Sequence, residues 1–108
     1  LFPWRQLYKA GIGAWYDDQR VEAITKALGT LQPSIDLQQR LLGAYGYKIE
    51  ATGIEDTQSQ LAVRAFQMHF RPSDYSGFFD TETIARLISL LERYRPAALA
   101  EIEDFPTL

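Results

Sequence analysis

The stretch SGFFDTETIARLISLL, residues 76–91, decides the fold, because it joins a glycine turn to a strongly amphipathic helix. Asp80 is suited to cap the N-terminus of this helix with its carboxylate. The apolar side chains follow the i, i+3, i+4, i+7 spacing of one helix face: Ile84, Leu87, Ile88 and Leu91. Arg93 and Arg95 fall in the last turn, where cations favour the helix dipole, and Pro96 is expected to stop the helix.

The same turn-and-helix pattern occurs earlier in the chain, in TGIEDTQS at residues 52–59. At an offset of 24 residues, the glycine, the aspartate and a hydroxyl three residues later coincide in the two segments. The earlier helix can be capped either by a capping box of Thr57 and Gln60 or by Asp56. It is expected to end at Arg71, because a proline follows. Its predicted core face consists of Ala62, Val63, Ala65, Phe66 and Phe70.

A preceding helix completes a three-helix unit. Ser34 is suited to cap its N-terminus, and Gly46 fits the left-handed position just past its end, where Tyr47 folds back toward Leu42. Its apolar stripe comprises Leu37, Leu41, Leu42 and Tyr45. Gly43 lies inside this helix at a cost of about 1 kcal/mol relative to alanine. We therefore expect a closely approaching backbone neighbour beside it.

A helical extension precedes the three-helix unit. Residues 1–16 predict a short helix that ends at a pair of glycines. A second helix follows, capped by Asp17 or Asp18 and ended by Gly29. The buried face of this second helix is expected to carry Val21, Ile24 and Leu28.

The predicted fold is all-α, a compact three-helix domain over residues 34–95 with an N-terminal helical extension. The extension divides into residues 1–16 and a linker helix and turn at 17–33, and residues 96–108 form a tail. A length of 108 residues is enough for one modest domain. The boundary is placed at the turn around Pro33, where the helical pattern is interrupted.

Composition excludes several classes of function. The formal net charge of −3 counts against a nucleic-acid partner. A helix-turn-helix DNA-binding domain is disfavoured because the last helix carries only three basic residues, Arg86, Arg93 and Arg95. The chain has no cysteine, so disulfides and thiolate metal sites are excluded. No apolar run approaches the roughly 20 residues needed to span a bilayer.

The aromatic residues and the single histidine are candidates for ligand contact. His69 has no partner residues for a metal site or a hydrolytic triad, so a structural place on the rim of its helix is favoured over ligand contact. Four rings cluster near the N-terminus, in Trp4, Tyr8, Trp15 and Tyr16. Such rings stack on sugars or plug a neighbouring domain, and the second interpretation is favoured because the segment is too short for a core of its own.

The stretch AVRAFQMHFRPSDYSGFFDTETIARLISLLERY, residues 62–94, strongly resembles the C-terminal peptidoglycan-binding domain of bacterial zinc-dependent N-acetylmuramoyl-L-alanine amidases of the AmiD type. The family's pattern of Gly, Asp, Thr, Ala and Phe-Gln is met by Gly53, Asp56, Ala62, Phe66 and Gln67. Its threonine is replaced by Ser59 in the first unit and is present as Thr83 in the second. The segment LFPWRQLYKAGIGAWYDD, at the start of the chain, resembles the end of the catalytic domain of these enzymes.

The resemblance implies a binding role and no chemistry within this chain. These amidases cleave the amide between N-acetylmuramic acid and L-alanine with a zinc-activated water, and their zinc ligands lie upstream of the segment matched here. We therefore expect no catalytic residue and no metal or other cofactor in this chain, with zinc held by the parent's catalytic domain. The implied partners are that domain, through residues 1–16, and peptidoglycan glycan or stem peptide. The implied location is periplasmic or outer-membrane-associated in a Gram-negative bacterium.

A ligand site is predicted beside the loop 71–79. Its candidate residues are Arg71, Asp74, Tyr75, Tyr45 and Tyr47. The loop combines a cation, an acceptor and an amphipathic ring, which suits a polar peptide or a glycan, although a purely structural turn fits equally well. Replacement of Arg71 and Tyr75 is expected to weaken binding to sacculi and to leave the thermal midpoint nearly unchanged.

Two further classes of function compete with wall binding. An architectural domain without wall affinity, which only packs on the catalytic domain, is the main alternative, and the N-terminal aromatic rings favour it. An independent enzyme is disfavoured because the chain lacks the metal-ligand set.

Overall fold

The computed structural model describes residues 4–11, 13–29, 33–71 and 76–102, and the regular secondary structure within them is helical. The elements are α1 (Trp4–Lys9), α2 (Asp18–Leu28), α3 (Ile35–Tyr45), α4 (Thr57–Phe70), α5 (Thr81–Tyr94) and α6 (Pro96–Ala100). The predicted all-α fold is confirmed. Helices α3, α4 and α5 form the three-helix unit, and α1 and α2 form the extension.

Helix α5 lies at the centre of the molecule, with α2, α3 and α6 packed against it. The four apolar residues predicted for its core face are all buried. It also buries Thr83, Ala85, Ser89 and Leu90. A single stripe was expected from the sequence, and the burial is wider because neighbouring helices cover α5 on more than one side.

Side-chain caps fix where the helices begin. The carboxylate of Asp17 accepts the Arg20 N–H at 3.0 Å, which selects Asp17 over Asp18 as the cap of α2. Ser34 caps α3 as predicted. The carboxylate of Asp56 accepts the Ser59 N–H at 3.0 Å, and Thr57 is the first residue of α4. The capping box of Thr57 and Gln60 is therefore not formed, and the competing prediction of Asp56 is confirmed.

The core face of α4 differs in part from the predicted one. Val63, Phe66 and Phe70 are buried as predicted and Ala62 is half-buried, but Ala65 is exposed. Gln67 takes the missing place and is completely buried. The buried face follows the helical spacing of residues 63, 66, 67 and 70, to which residue 65 does not belong.

Helix α3 ends in a Schellman motif at a glycine, as predicted. Gly46 has φ of 122°, and the Tyr47 N–H donates to the Leu42 carbonyl at 3.1 Å. Among the residues that the structure describes, no backbone lies close to Gly43. A Cβ at position 43 would meet only the Cγ2 of Ile49, at the ordinary contact distance of 3.8 Å. The prediction of a close approach at Gly43 is therefore wrong.

Replacing Gly43 with alanine is expected to raise the free energy of unfolding by about 0.5–1 kcal/mol, since a glycine inside a helix is that much less favourable than alanine. Urea denaturation measures the difference. The control is Gly46→Ala, which should lower stability because its φ lies in the left-handed region. A loss of stability in Gly43→Ala would mean that a neighbour lies closer than the structure shows.

The N-terminal aromatic residues Trp15 and Tyr16 are part of this core. Their exposed fractions are 5% and 6%, and the Trp15 ring lies 5.8 Å from that of Phe70. Arg93 of α5 donates to the Trp15 carbonyl and to the Tyr8 hydroxyl, both at 2.8 Å. One hydrophobic core includes Trp15 and Tyr16 together with side chains of α2, α3, α4 and α5, so these two rings pack on the neighbouring part of the chain. The side chain of Trp4 lies outside the described residues.

The chain beyond α5 continues as a short packed helix. Helix α5 ends at Tyr94, as expected. Pro96 then occupies the first turn of a further helix, α6. Leu99 and Ile102 pack against the core. The part of the predicted tail that the structure describes is therefore largely helical. Residues 103–108, including Glu103 and Asp104, lie outside the described part.

Candidate functional site

A buried glutamine holds the loop that precedes α5. Gln67 has no exposed surface, and its Oε1 accepts the Gly77 N–H at 2.9 Å. Its Nε2 donates to the Phe78 carbonyl at 2.8 Å and to the Thr83 hydroxyl at 3.1 Å. The polar atoms of this buried amide are thus satisfied by the backbone of one loop and the first turn of one helix.

The loop that precedes α4 is held in the same way by Gln39 of α3. Its Oε1 accepts the Gly53 N–H at 2.9 Å, and its Nε2 donates to the Ile54 carbonyl at 3.0 Å and to the Ser59 hydroxyl at 2.7 Å. We call each of these arrangements a glutamine clamp. The sequence repeat of glycine, aspartate and hydroxyl is therefore also a structural repeat.

Sequence reasoning missed the clamps. Gln67 was noted only as part of a family pattern, and Gln39 was not singled out. The available signal was a glutamine on the buried face of a helix, 14 residues before the first loop glycine and 10 residues before the second. This signal is weak because glutamine side chains are mostly exposed to solvent in folded proteins.

A groove of about 380 Å³ lies between the two clamped loops. The described residues that line it are Glu55, Thr57, Gln60, Leu61, Arg64, Ser76, Gly77 and Phe78. A second depression of about 330 Å³, lined by residues that include Pro33, Gln38 and Phe79, shares Glu55 and Phe78 with it. The groove therefore combines exposed apolar side chains with hydroxyl, amide and charged groups, a mixture typical of ligand sites.

Arg71, the first predicted site residue, is directed into the protein. Its side chain is 13% exposed, and its guanidinium pairs with the carboxylate of Asp80 and, at 2.7 Å, with that of Glu82. Burial alone would raise the pKa of Asp80, but hydrogen bonds from Arg71 and Thr83 outweigh it and hold this pKa below its ordinary value. The expectation that replacing Arg71 leaves stability unchanged assumed a solvent-facing side chain, and the structure contradicts that assumption.

The two predicted tyrosines pack on α4 rather than beside the groove. The Tyr45 ring meets the rings of Phe66 and Phe70 edge-on, at centroid distances of 6.4 and 5.9 Å. Burial raises the pKa of Tyr47 to about 12. Neither tyrosine is among the described residues that line the groove. Asp74 and Tyr75 lie outside the described residues, so the loop prediction for them stays a prediction.

His69 has a structural environment. Its ring stacks on that of Phe70 at a centroid distance of 4.0 Å, and partial burial lowers its pKa. Within the described ranges, no three or more His, Cys, Asp or Glu side chains lie close enough together to hold a metal ion. In the same part of the chain, no helix is both long and apolar enough to cross a membrane.

Comparison with known proteins identifies the segment that builds the groove. A family model described as "Putative peptidoglycan binding domain" matches residues 32–87, just over half of the chain. The chain belongs to this peptidoglycan-binding family. The matched residues include α3, α4, both clamped loops and the first half of α5.

Relatives of the peptidoglycan-binding domain are amidases. N-acetylmuramoyl-L-alanine amidase AmiD of Escherichia coli is 42% identical over 96 residues, which are 87% of this chain and 34% of AmiD. A putative N-acetylmuramoyl-L-alanine amidase of Rickettsia conorii is 31% identical over 67 residues, which are 60% of this chain and 25% of that protein. The chain thus spans about a third of the length of AmiD and a quarter of the length of the second relative.

Solved structures give the same result for the fold. The crystal structure of AmpDh3 from Pseudomonas aeruginosa in complex with anhydromuramic pentapeptide has a TM-score of 0.76 and 44% identity, covering 86% of this chain and 36% of that one. The complex of E. coli AmiD with anhydro-N-acetylmuramic acid-L-Ala-D-gamma-Glu-L-Lys has a TM-score of 0.73 and 41% identity, covering 87% and 37%. The predicted relationship to AmiD-type amidases is confirmed.

Proposed function

We propose that this chain is the peptidoglycan-binding module of an N-acetylmuramoyl-L-alanine amidase and that it targets the zinc hydrolase to murein. The observation that carries the proposal is the family match over residues 32–87, because these residues build the groove between the clamped loops. The amidase relatives support the enzymatic context. Zinc and the hydrolytic step would belong to a catalytic domain, and the parent would act in the periplasm or at the outer membrane.

The groove is the proposed binding surface. Leu61 of α4 is 62% exposed and lies in it beside Phe78, while Thr57 and Gln60 supply polar groups at its edge. Apolar side chains that face solvent contribute to binding when a ligand covers them. Weak binding is enough for a targeting module. Peptidoglycan is a repeating polymer, so a weak contact on the same chain raises the effective concentration of a catalytic domain at its substrate.

Co-sedimentation with purified sacculi tests this function. The chain is expected to pellet in a saturable manner that survives moderate salt. Leu61→Ala should weaken the affinity for sacculi about tenfold, which is the usual effect of truncating a central contact residue. Met68→Ala is the matched control, since Met68 is an exposed apolar residue of the same helix outside the lining of the groove. Both variants should keep the thermal midpoint of the unsubstituted 108-residue chain, because both side chains face solvent.

Failure to pellet would overturn the proposed function. It would favour the alternative of an architectural domain that packs on the catalytic domain without affinity for the wall. An equal loss of affinity in Leu61→Ala and Met68→Ala would keep wall binding but remove the groove as its site.

A further inference from the structure

The two clamped loops present apolar side chains at equivalent positions. Ile54 and Phe78 each follow the loop glycine, and their exposed fractions are 66% and 62%. The carbonyl of each accepts from the amide of its clamping glutamine. The N–H of Ile54 donates to the Thr52 hydroxyl and that of Phe78 to the Ser76 hydroxyl, each at 3.2 Å. The repeat therefore includes an exposed apolar side chain at the same place in each unit.

The backbone at these positions is held in place. Both the N–H and the carbonyl of Ile54 and of Phe78 have hydrogen-bond partners within the loop and its clamp. These bonds fix the backbone and therefore the direction of each Cα–Cβ bond, and breaking a bond to a buried group costs free energy. The fold does not need an apolar residue here, since the glycine, the glutamine and the capping aspartate form the turn. A contact with a ligand accounts for both side chains.

We infer that Ile54 and Phe78 are paired contact residues for the glycan strand of peptidoglycan rather than for its stem peptide. This inference rests on the proposed function and names the part of the polymer that is bound. A glycan strand repeats the same sugar rings, whose C–H faces pack on apolar and aromatic side chains. Two equivalent loops that present apolar side chains match a ligand that repeats along its length.

The charges around Phe78 favour the same occupant. Among the described residues that line the groove, the ionised groups are one acidic and one basic side chain, Glu55 and Arg64. The second depression, on the other side of Phe78, contributes only Glu55 again. A stem peptide carries several carboxylates, which a chain of net charge −3 repels, whereas the glycan strand is nearly neutral where its amines are acetylated and its lactyl carboxyls are held in amide linkage. The nearly neutral surface thus complements the glycan.

Affinity measurements on two forms of the polymer test the inference. The 108-residue chain and its variants Ile54→Ser, Phe78→Ser and Met68→Ser are titrated with intact sacculi and with glycan strands stripped of stem peptides by an amidase. The lactyl carboxylates freed on these strands are then converted to amides. Free stem peptides serve as competitors. The unsubstituted chain is expected to bind both polymers with similar affinity, and free stem peptides should not compete for binding. Ile54→Ser and Phe78→Ser should each weaken both affinities about tenfold, while Met68→Ser should change neither.

The alternative outcomes separate the two levels of the proposal. No binding to either polymer would overturn the proposed function itself. Binding to sacculi that is lost on stripped strands, or displaced by stem peptides, would leave the proposed function standing and overturn the assignment to glycan. A tenfold loss in Phe78→Ser with no change in Ile54→Ser would overturn the pairing. The comparison requires that all three variants keep the thermal midpoint of the unsubstituted chain. We expect this result because all three side chains are exposed.

Discussion

Replacing Gln67 with leucine is expected to lower the free energy of unfolding by about 2–4 kcal/mol, the combined penalty for several polar groups left without partners. Leucine fills a similar volume but removes the acceptor for the Gly77 N–H and the donor to the Phe78 carbonyl and Thr83. The effect is large because Gln67 has no exposed surface, so water cannot replace the lost partners without opening the structure. Chemical denaturation monitored by circular dichroism measures the change.

The same substitution at Gln60 provides the control. Gln60 lies on the exposed face of α4, so Gln60→Leu should shift stability by no more than about 0.5 kcal/mol. Gln67→Glu is a second test, since it keeps an acceptor for Gly77 but loses the donor to Phe78. It is expected to be destabilising as well. If Gln67→Leu were as stable as Gln60→Leu, the clamp would not contribute to the fold.

Replacing Trp15 with alanine is expected to destabilise the chain by about 3–5 kcal/mol, the range for truncating a buried large aromatic side chain. The Trp15 ring stacks on Tyr16 at 4.6 Å and contacts Phe70 of α4. Its removal leaves a cavity between the N-terminal segment and the helical core. The midpoint of urea unfolding, measured by circular dichroism so that the lost fluorophore does not matter, reports the loss.

Leu61→Ala serves as the comparison for Trp15→Ala. It also truncates a large apolar side chain, but one that faces solvent, so its effect on stability should be small. A large effect at Trp15 would show that the segment before α2 contributes to the stability of the binding domain, even though it resembles the end of a catalytic domain. A small effect there would mean that this segment is only loosely associated with the core.

Features that depend on neighbouring residues were predictable from the sequence. The caps at Ser34 and Asp80 and the Schellman ending at Gly46 are built within one helical turn, so their residue types alone indicate them. The apolar face of α5 has the same local origin. Where two local patterns competed, as with Asp56 and the capping box, the sequence left the choice open, and the geometry of the carboxylate decided it.

Features that depend on distant residues were not predictable in this way. Arg71 is predicted as a ligand contact because it shares a polar loop with Asp74 and Tyr75, whereas its partners, Asp80 and Glu82, follow nine and eleven residues later in the chain. Gln39 contacts residues 13 to 20 positions away, and nothing in its own neighbourhood indicates burial. The burial of Trp15 against α4 similarly depends on how the whole chain closes.

Each clamp is supplied by the helix that precedes the loop, so α4 is both held by Gln39 and a supplier of Gln67. To add a further unit of this kind, the last helix must carry a glutamine that can hold the loop after it. In the alignment of the two units, position 91 corresponds to position 67, and α5 has a buried leucine there. Leu91 has no side-chain amide group, so α5 does not offer a glutamine clamp from this position. A glutamine at this position in a longer homologue would mark a third.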